Sequence, residues 1–389
     1  MCFLYLKYKN KPEKMSIFKI NYKSKISSAR SGLLKTAHGK IETPFFMPIG
    51  TYGAVKTQSS AEIKHLPSNI LLSNTYHLYI RPGTNILEKA GGLHKFMNWQ
   101  DIILTDSGGY QVYSLEGMRK IDSDGVTFQS HLDGSKHRFT PERVIDIQRS
   151  IGSDIMMMLD VCPPGDANIK RWEEALKLTT EWARRAQKHF KNTKSLYGFK
   201  QIISPIVQGG TDLNLRKQSA HELMELNCDM HAIGGLAVGE PKEEMLKVIH
   251  FLNDVLPKEK PRYLMGVGTP ADIVESVLNG IDMFDCVIPT RNARNSQLFS
   301  FDGKLNIRNA KYKEDFSPID ENDFSPISKQ YSKAYLHHLF KTNEILGLRI
   351  ATEHNLKFYI HLMSLIRDKI KADEFDKWAV QFLQKYNNE

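Results

Sequence analysis

Eight short apolar runs, separated by amphipathic helix patterns over about 250 residues, predict an α/β fold of the (β/α)8 barrel type. A doubly wound open sheet is the alternative that the same alternation allows. The runs are residues 43–50 (TPFFMPIG), 69–74 (NILLSN), 102–107 (IILTDS), 154–160 (DIMMMLD), 205–209 (PIVQG), 230–235 (MHAIGG), 262–267 (RYLMGV) and 283–289 (MFDCVIP). Continuous apolar runs of this length suit parallel strands buried on both faces. Each closes on polar or glycine residues, where a strand gives way to a turn.

Among the helices between them, ADIVESVLNG has the clearest limits. Thr269 is placed to cap it, Pro270 opens its first turn and Gly280 stops it. The third and fourth runs are about 50 residues apart, too far for one helical crossover, which implies an insertion. Within it VTFQSHLDGSKHRFTPE alternates around Asp133 and Gly134 and reads as a β-hairpin. After Pro289 the composition turns basic (Arg291, Arg294, Lys304, Arg308, Lys311, Lys313), followed by the irregular EDFSPIDENDFSPISKQ. From Tyr331 onward the chain reads as mostly helical, with Tyr335, Leu336, Leu339 and Phe340 at helical spacing. This divides the chain into an N-terminal extension (1–17), a catalytic barrel with insertions (18–300) and a C-terminal, mostly helical subdomain (301–389).

With 389 residues, 41% of them hydrophobic, the chain can bury a large core, which excludes a disordered protein. The net charge of +9 leans toward a polyanionic partner such as nucleic acid. Cys2, Cys162, Cys228 and Cys286 are scattered, without metal or redox spacing, which suits a reducing cytoplasm and excludes a disulfide framework. No apolar run approaches the ~18–20 residues of a membrane span. In residues 1–14 the lysines follow the short apolar patch, the reverse of a signal peptide. They read as a frayed extension, with Met15 as an alternative start.

In a barrel, the residues just past each strand gather at one face, where active sites form. Here they include Ser73, Asn74, Thr75, Asp106, Ser107, Gly108, Gly109, Tyr110, Asp160, Gln208, Gly209, Gly235, Leu236, Met265 and Asp285. Carboxylates and amides can read the N–H and carbonyl groups of a planar ring, and glycines let backbone amides approach it. Tyr110 and Met265 could sandwich that ring. Taken singly, a strand-end Asp serves as readily as a cap, Tyr110 as packing and Met265 as core. Three carboxylates converging on one face favour a site, because buried unpaired charge is costly.

The strings LTDSGGYQVYSL (104–115), SHLDGSKHRFTPE (130–142), IVQGG (206–210), IGGLAVGE (233–240), YLMGVGTP (263–270) and MFDCVIPTRNAR (283–294) resemble bacterial tRNA-guanine transglycosylases. The resemblance runs from about Phe18 into the C-terminal helices. It implies exchange of the wobble guanine, position 34 of GUN-anticodon tRNAs (those for aspartate, asparagine, histidine and tyrosine), for 7-aminomethyl-7-deazaguanine (preQ1), in queuosine biosynthesis. By that resemblance Asp285 is the nucleophile on ribose C1′, holding it covalently, and Asp106 the general acid/base. Asp160, Gln208, Ser107, Gly235 and Leu236 hold the purine, with Tyr110 and Met265 on its faces. Arg291 and Arg294 match positions that grip neighbouring anticodon nucleotides. Val238 and Cys162 resemble the preQ1-type pocket rather than the roomier one for queuine.

The chemistry agrees with these roles. A carboxylate under an anomeric carbon can stabilise oxocarbenium-like charge or form a bond, and two displacements preserve the β-linkage. The base must be splayed from the anticodon loop to reach such a pocket. The implied partners are the tRNA anticodon loop, preQ1 and guanine, with a homodimer as the candidate assembly and no membrane.

The family's structural zinc motif, C-x-C-x2-C with a histidine about 26 residues later, falls here on Asp323, Ser325, Ser328 and His354. Serine hydroxyls are poor zinc ligands, so no metal and no cofactor is expected. The family's dimer uses surfaces near this region, so the loss bears on assembly as well. Three other functions stand beside the lead: a queuine-using transglycosylase, an archaeosine-type enzyme, and a silent tRNA-binding subunit. Silent subunits of this superfamily lose the nucleophile and keep zinc, the opposite of this chain. No appended RNA-binding domain supports the archaeosine type.

Overall fold

A computed structural model describes residues 16–114, 117–322 and 325–387. Most of the expected N-terminal extension, Met15 and Asp323 lie outside the described residues. The chain is mixed α/β, with two parallel sheets at its centre. One runs, in spatial order, Ile202–Ser204, Ile155–Met157, Ile102–Thr105, Ile70–Ser73. The other runs Ile206–Val207, His231–Ile233, Arg262–Leu264, Met283–Asp285, Phe45–Met47. Every residue in these strands is buried, as continuous apolar runs require.

The sheets meet at two places. Residues 202–207 supply the end strand of each, broken at Pro205, which has no N–H for the ladder. At the other edge Ile49 bridges Leu72 in parallel; Gly50 N–H donates to Leu72 O at 2.7 Å and Leu72 N–H to Pro48 O at 3.0 Å. The fifth strand was expected to begin at Pro205 and run to Gly209. Instead it begins at Ile202 and ends at Val207, because the Gln208 N–H leaves the ladder for Ser219 Oγ (3.1 Å).

Strand periodicity sorts the core. Phe45, Met47, Ile70, Leu72, Ile155 and Met157 join one cluster, while Phe46, Leu71 and Met156 face the helix layers. The helix Pro270–Leu278 starts as its sequence dictates, with Thr269 Oγ1 accepting the Asp272 N–H. In the insertion Gly125–Gln129 pairs antiparallel with Lys136–Phe139, and Arg119–Asp122 adds a third strand.

Two features were not anticipated. Phe18–Lys23, Arg30–Thr36 and Gly39–Thr43 form an antiparallel sheet, and Gln297–Ser300 pairs with Gly303–Asn306. The helices Lys333–Lys341, Ile345–Lys371 and Phe375–Asn387 follow. The long middle helix buries Tyr359 against Phe46, and its hydroxyl donates to Gly268 O at 2.7 Å. Among the described residues no helix is long and apolar enough to cross a membrane.

Candidate active site

Because the strands run parallel, residues following them emerge at a common end. Asp106 directly follows Ile102–Thr105, Asp160 lies just beyond Ile155–Met157, and Asp285 ends Met283–Asp285. Each is 8% exposed, deep but still reached by solvent.

Asp106 is held on both oxygens. The Thr75 N–H donates to Oδ1 at 2.8 Å, while Asn74 Nδ2 and Gln111 Nε2 donate to Oδ2 at 2.5 and 2.8 Å. Burial nevertheless raises its pKa to about 6; the three donors oppose the rise and the charge on Asp285 adds to it. Asp285 is held on one side only: Tyr263 OH (2.6 Å) and the Gly266 N–H (2.8 Å) both donate to Oδ1. No hydrogen bond reaches Asp285 Oδ2 among the described residues. Burial raises this carboxyl too, against the pull of those two donors. Burial and the adjacent Asp285 push the Tyr263 hydroxyl well above its usual value, so it stays a donor.

Asp160 accepts from Ser107 Oγ (2.7 Å, on Oδ1) and Gln208 Nε2 (2.8 Å, on Oδ2). Ser107 Oγ in turn accepts the Gly109 N–H at 3.0 Å. Gly109 has to be glycine, since a Cβ there would sit 2.6 Å from Asp160 O. Gln208 Oε1 is buried with no hydrogen-bond partner among the described residues. Across from it Gly235 turns with φ +63°, and Leu236 is buried. The Cys162 thiol lies beside Asp160 and the Gly235 amide, and burial pushes it up to about 12.

Asp106, Ser107, Asp160, Gln208 and Gly235 thus form one neighbourhood, with Asp285 coupled to it electrostatically. Tyr110 is looser, 58% exposed, and Met265 is half-buried against the inner core. Arg291 and Arg294 share a face of Ile288–Arg294, the helix after Asp285. Arg291 is exposed, whereas Arg294 is half-buried and donates to Thr290 O at 2.7 Å.

Gln111 and Tyr263, together with the donor roles of Asn74 and Thr75, were missed in the sequence. Tyr263 had a signal: it lies two residues before Met265 and so on the same strand face. Among the residues that the resemblance aligns with the family's zinc motif, Ser328 Oγ lies 2.7 Å from His354 Nδ1, and His354 Nε2 is 2.8 Å from Phe299 O. Ser325 and Ser328 are both fully buried.

Burial raises all three carboxyls at this end; Asp285, with one oxygen outside its hydrogen bonds, and Asp106, hydrogen-bonded on both, can divide covalent and proton-transfer work. The family model described as queuine tRNA-ribosyltransferase matches residues 25–388. The chain belongs to the queuine tRNA-ribosyltransferase family. It is therefore an enzyme, a transferase. A queuine tRNA-ribosyltransferase from Caldanaerobacter subterraneus is 54% identical over 360 residues, 92% of this chain and 95% of the relative. One from Thermoanaerobacter pseudethanolicus is 52% identical over 369 residues, 95% of this chain and 97% of its own. One from Desulforamulus reducens is 49% identical over 370 residues, covering 95% and 98%.

Proposed function

We propose that this family member exchanges guanine-34 of GUN-anticodon tRNAs for preQ1 by double displacement, in a mouth formed by one closed (β/α)8 barrel. The parallel pairing, the two junctions between the sheets and the inward cluster of alternate strand residues support closure.

The contrast between Asp285 and Asp106 carries the functional reading. Asp285 has both hydrogen bonds on Oδ1, leaving Oδ2 to attack C1′ of the ribose and form the covalent ester as guanine departs. Asp106, at a pKa of about 6, delivers a proton to the leaving guanine and takes one from the incoming base. The second displacement then releases Asp285 and restores the β-linkage. Asp160, with its two donors, faces the N–H edge of the base; Gln208 and the backbone at Gly235 and Leu236 complete that edge. Tyr110 and Met265 cover the ring faces, and Arg291 and Arg294 hold the phosphates of neighbouring nucleotides. Val238 and Cys162, the latter beside Asp160, resemble the preQ1-type pocket rather than the roomier one for queuine, which favours preQ1.

The family's zinc does not fit this chain. Two positions are neutral serines, and Ser328 and the Phe299 carbonyl already engage both ring nitrogens of His354. A hydrogen-bonded link takes the place of the metal. As in the family, a homodimer is the proposed assembly and the cytoplasm the proposed location.

Exchange of radiolabelled guanine into tyrosine tRNA tests the mechanism. Asp285→Ala should abolish exchange, and full activity in that variant would overturn the assignment. Competition among guanine, preQ1 and queuine then decides the base; preferential queuine incorporation would correct the pocket reading. A wild-type chain that binds tRNA without exchange would point to the silent-subunit alternative.

A further inference from the structure

Arg216 is fully buried, yet among the described residues no carboxylate forms an ion pair with it. Its guanidinium instead donates to four backbone carbonyls. Nε reaches Gly210 O at 2.7 Å, Nη1 reaches Val207 O and Gly234 O at 2.8 Å each, and Nη2 reaches Gly235 O at 3.1 Å. Those carbonyls flank Gln208 on one turn and belong to Gly234 and Gly235 on the other. Ser219, three residues further along the helix Leu213–Met224, accepts the Gln208 N–H. One face of this helix therefore pins both turns that frame the proposed base pocket.

A buried cation is costly, and two turns could be joined by neutral groups. What a guanidinium adds is a fixed fork and a positive charge behind the peptide dipoles. A peptide whose carbonyl accepts a charge-assisted hydrogen bond presents a more polarised N–H at its other end. The bond to Gly234 O acts on the Gly235 N–H, and the bond to Gly235 O acts on the Leu236 N–H.

We propose that Arg216 is a positioning and specificity residue, locking the two turns together and strengthening the Gly235 and Leu236 amides as donors to a ring carbonyl of the base. This rests on the base-exchange reading. The purine class it favours bears a carbonyl on the edge facing these amides, as guanine does and 2-aminopurine does not.

The test uses the full-length enzyme with Arg216→Met and Arg216→Lys. In wild type, guanine exchange into tRNA is measured first, then inhibition by 2-aminopurine. In Arg216→Met the KM for guanine should rise roughly tenfold, with KM for tRNA changed much less, and the preference for guanine over 2-aminopurine should shrink by a similar factor. Arg216→Lys, which keeps the charge without the fork, should recover part of the preference. If guanine and 2-aminopurine weaken equally, in step with a lower melting temperature, Arg216 is only structural and the proposal falls. Should Arg216→Met fail to fold, an unchanged guanine preference in Arg216→Lys overturns it alone. Wild-type enzyme without guanine exchange sinks the base-exchange reading, and this inference with it.

Discussion

Asp106 is a carboxyl whose burial works against its own charge. With an ordinary value of 3.8 and a folded value of about 6, the folded chain binds this proton more tightly than the unfolded chain does. Its stabilising contribution is complete below about 3.8 and is lost as pH rises through about 6. The difference corresponds to about 3 kcal/mol between the two ends of that window. Asp106→Asn cannot titrate, and it also disturbs the donors Asn74, Thr75 and Gln111, at a cost that is constant with pH. Urea unfolding of both proteins from about pH 4 to pH 8 should show the Asn variant gaining on wild type by about that amount as pH rises. A pH-independent difference would place the acid in a solvated environment and remove the basis for its proton-transfer role.

At the scale of elements, the long helix Ile345–Lys371 ties the helix that carries the two arginines through Asn355. Asn355 is fully buried; its Oδ1 accepts the Phe299 N–H (3.0 Å), and its Nδ2 donates to Pro289 O (2.9 Å) and Gln297 O (3.0 Å). It thereby fixes the helix carrying Arg291 and Arg294 against the hairpin that follows. Asn355→Leu takes a partner from three buried backbone groups, a loss of about 3 kcal/mol in urea unfolding. KM for tRNA should rise more than KM for guanine; equal changes would detach the arginine helix from tRNA binding. This link was not legible in the sequence, where Asn355 is one polar residue within a helical pattern. Asp106, Asp160 and Asp285 were legible because an acid ending an apolar strand run has a position the fold dictates. The donor Gln111 joins them only in space, with no local pattern to mark it, whereas Tyr263 could have been found from its place two residues before Met265. The N-terminal sheet escaped notice because Phe18–Lys23 is mostly exposed and carries little periodic signal.

Across the whole molecule, the proposed absence of the family's zinc raises the question of what holds the C-terminal helices. Phe358, Leu362, Met363 and Ile366 belong to the same buried cluster as Ile233, Leu264 and Phe284 of the central strands. Tyr359 and Tyr386 anchor the last helices to the Gly268 and Ser300 carbonyls. The stretch around Ser328 has a cluster of its own, with Ile307, Ile319, Leu336, Leu339, Phe340 and Ile350. The long helix joins that cluster, through Ile350 and Ala351, to the shared core, through Phe358 and Leu362, so its burial need not come from a metal. The prediction is one cooperative thermal transition whose midpoint a chelator leaves unchanged, with zinc well below stoichiometric in elemental analysis. Stoichiometric zinc, or a chelator-induced early transition, would overturn the hydrogen-bonded replacement. The link itself can be probed with Ser328→Ala, which removes the hydroxyl bonded to His354 Nδ1 and should cost about 1–3 kcal/mol. If zinc held this region, that substitution would also reduce the metal content. If the hydrogen bond holds it, stability falls and the metal content does not move.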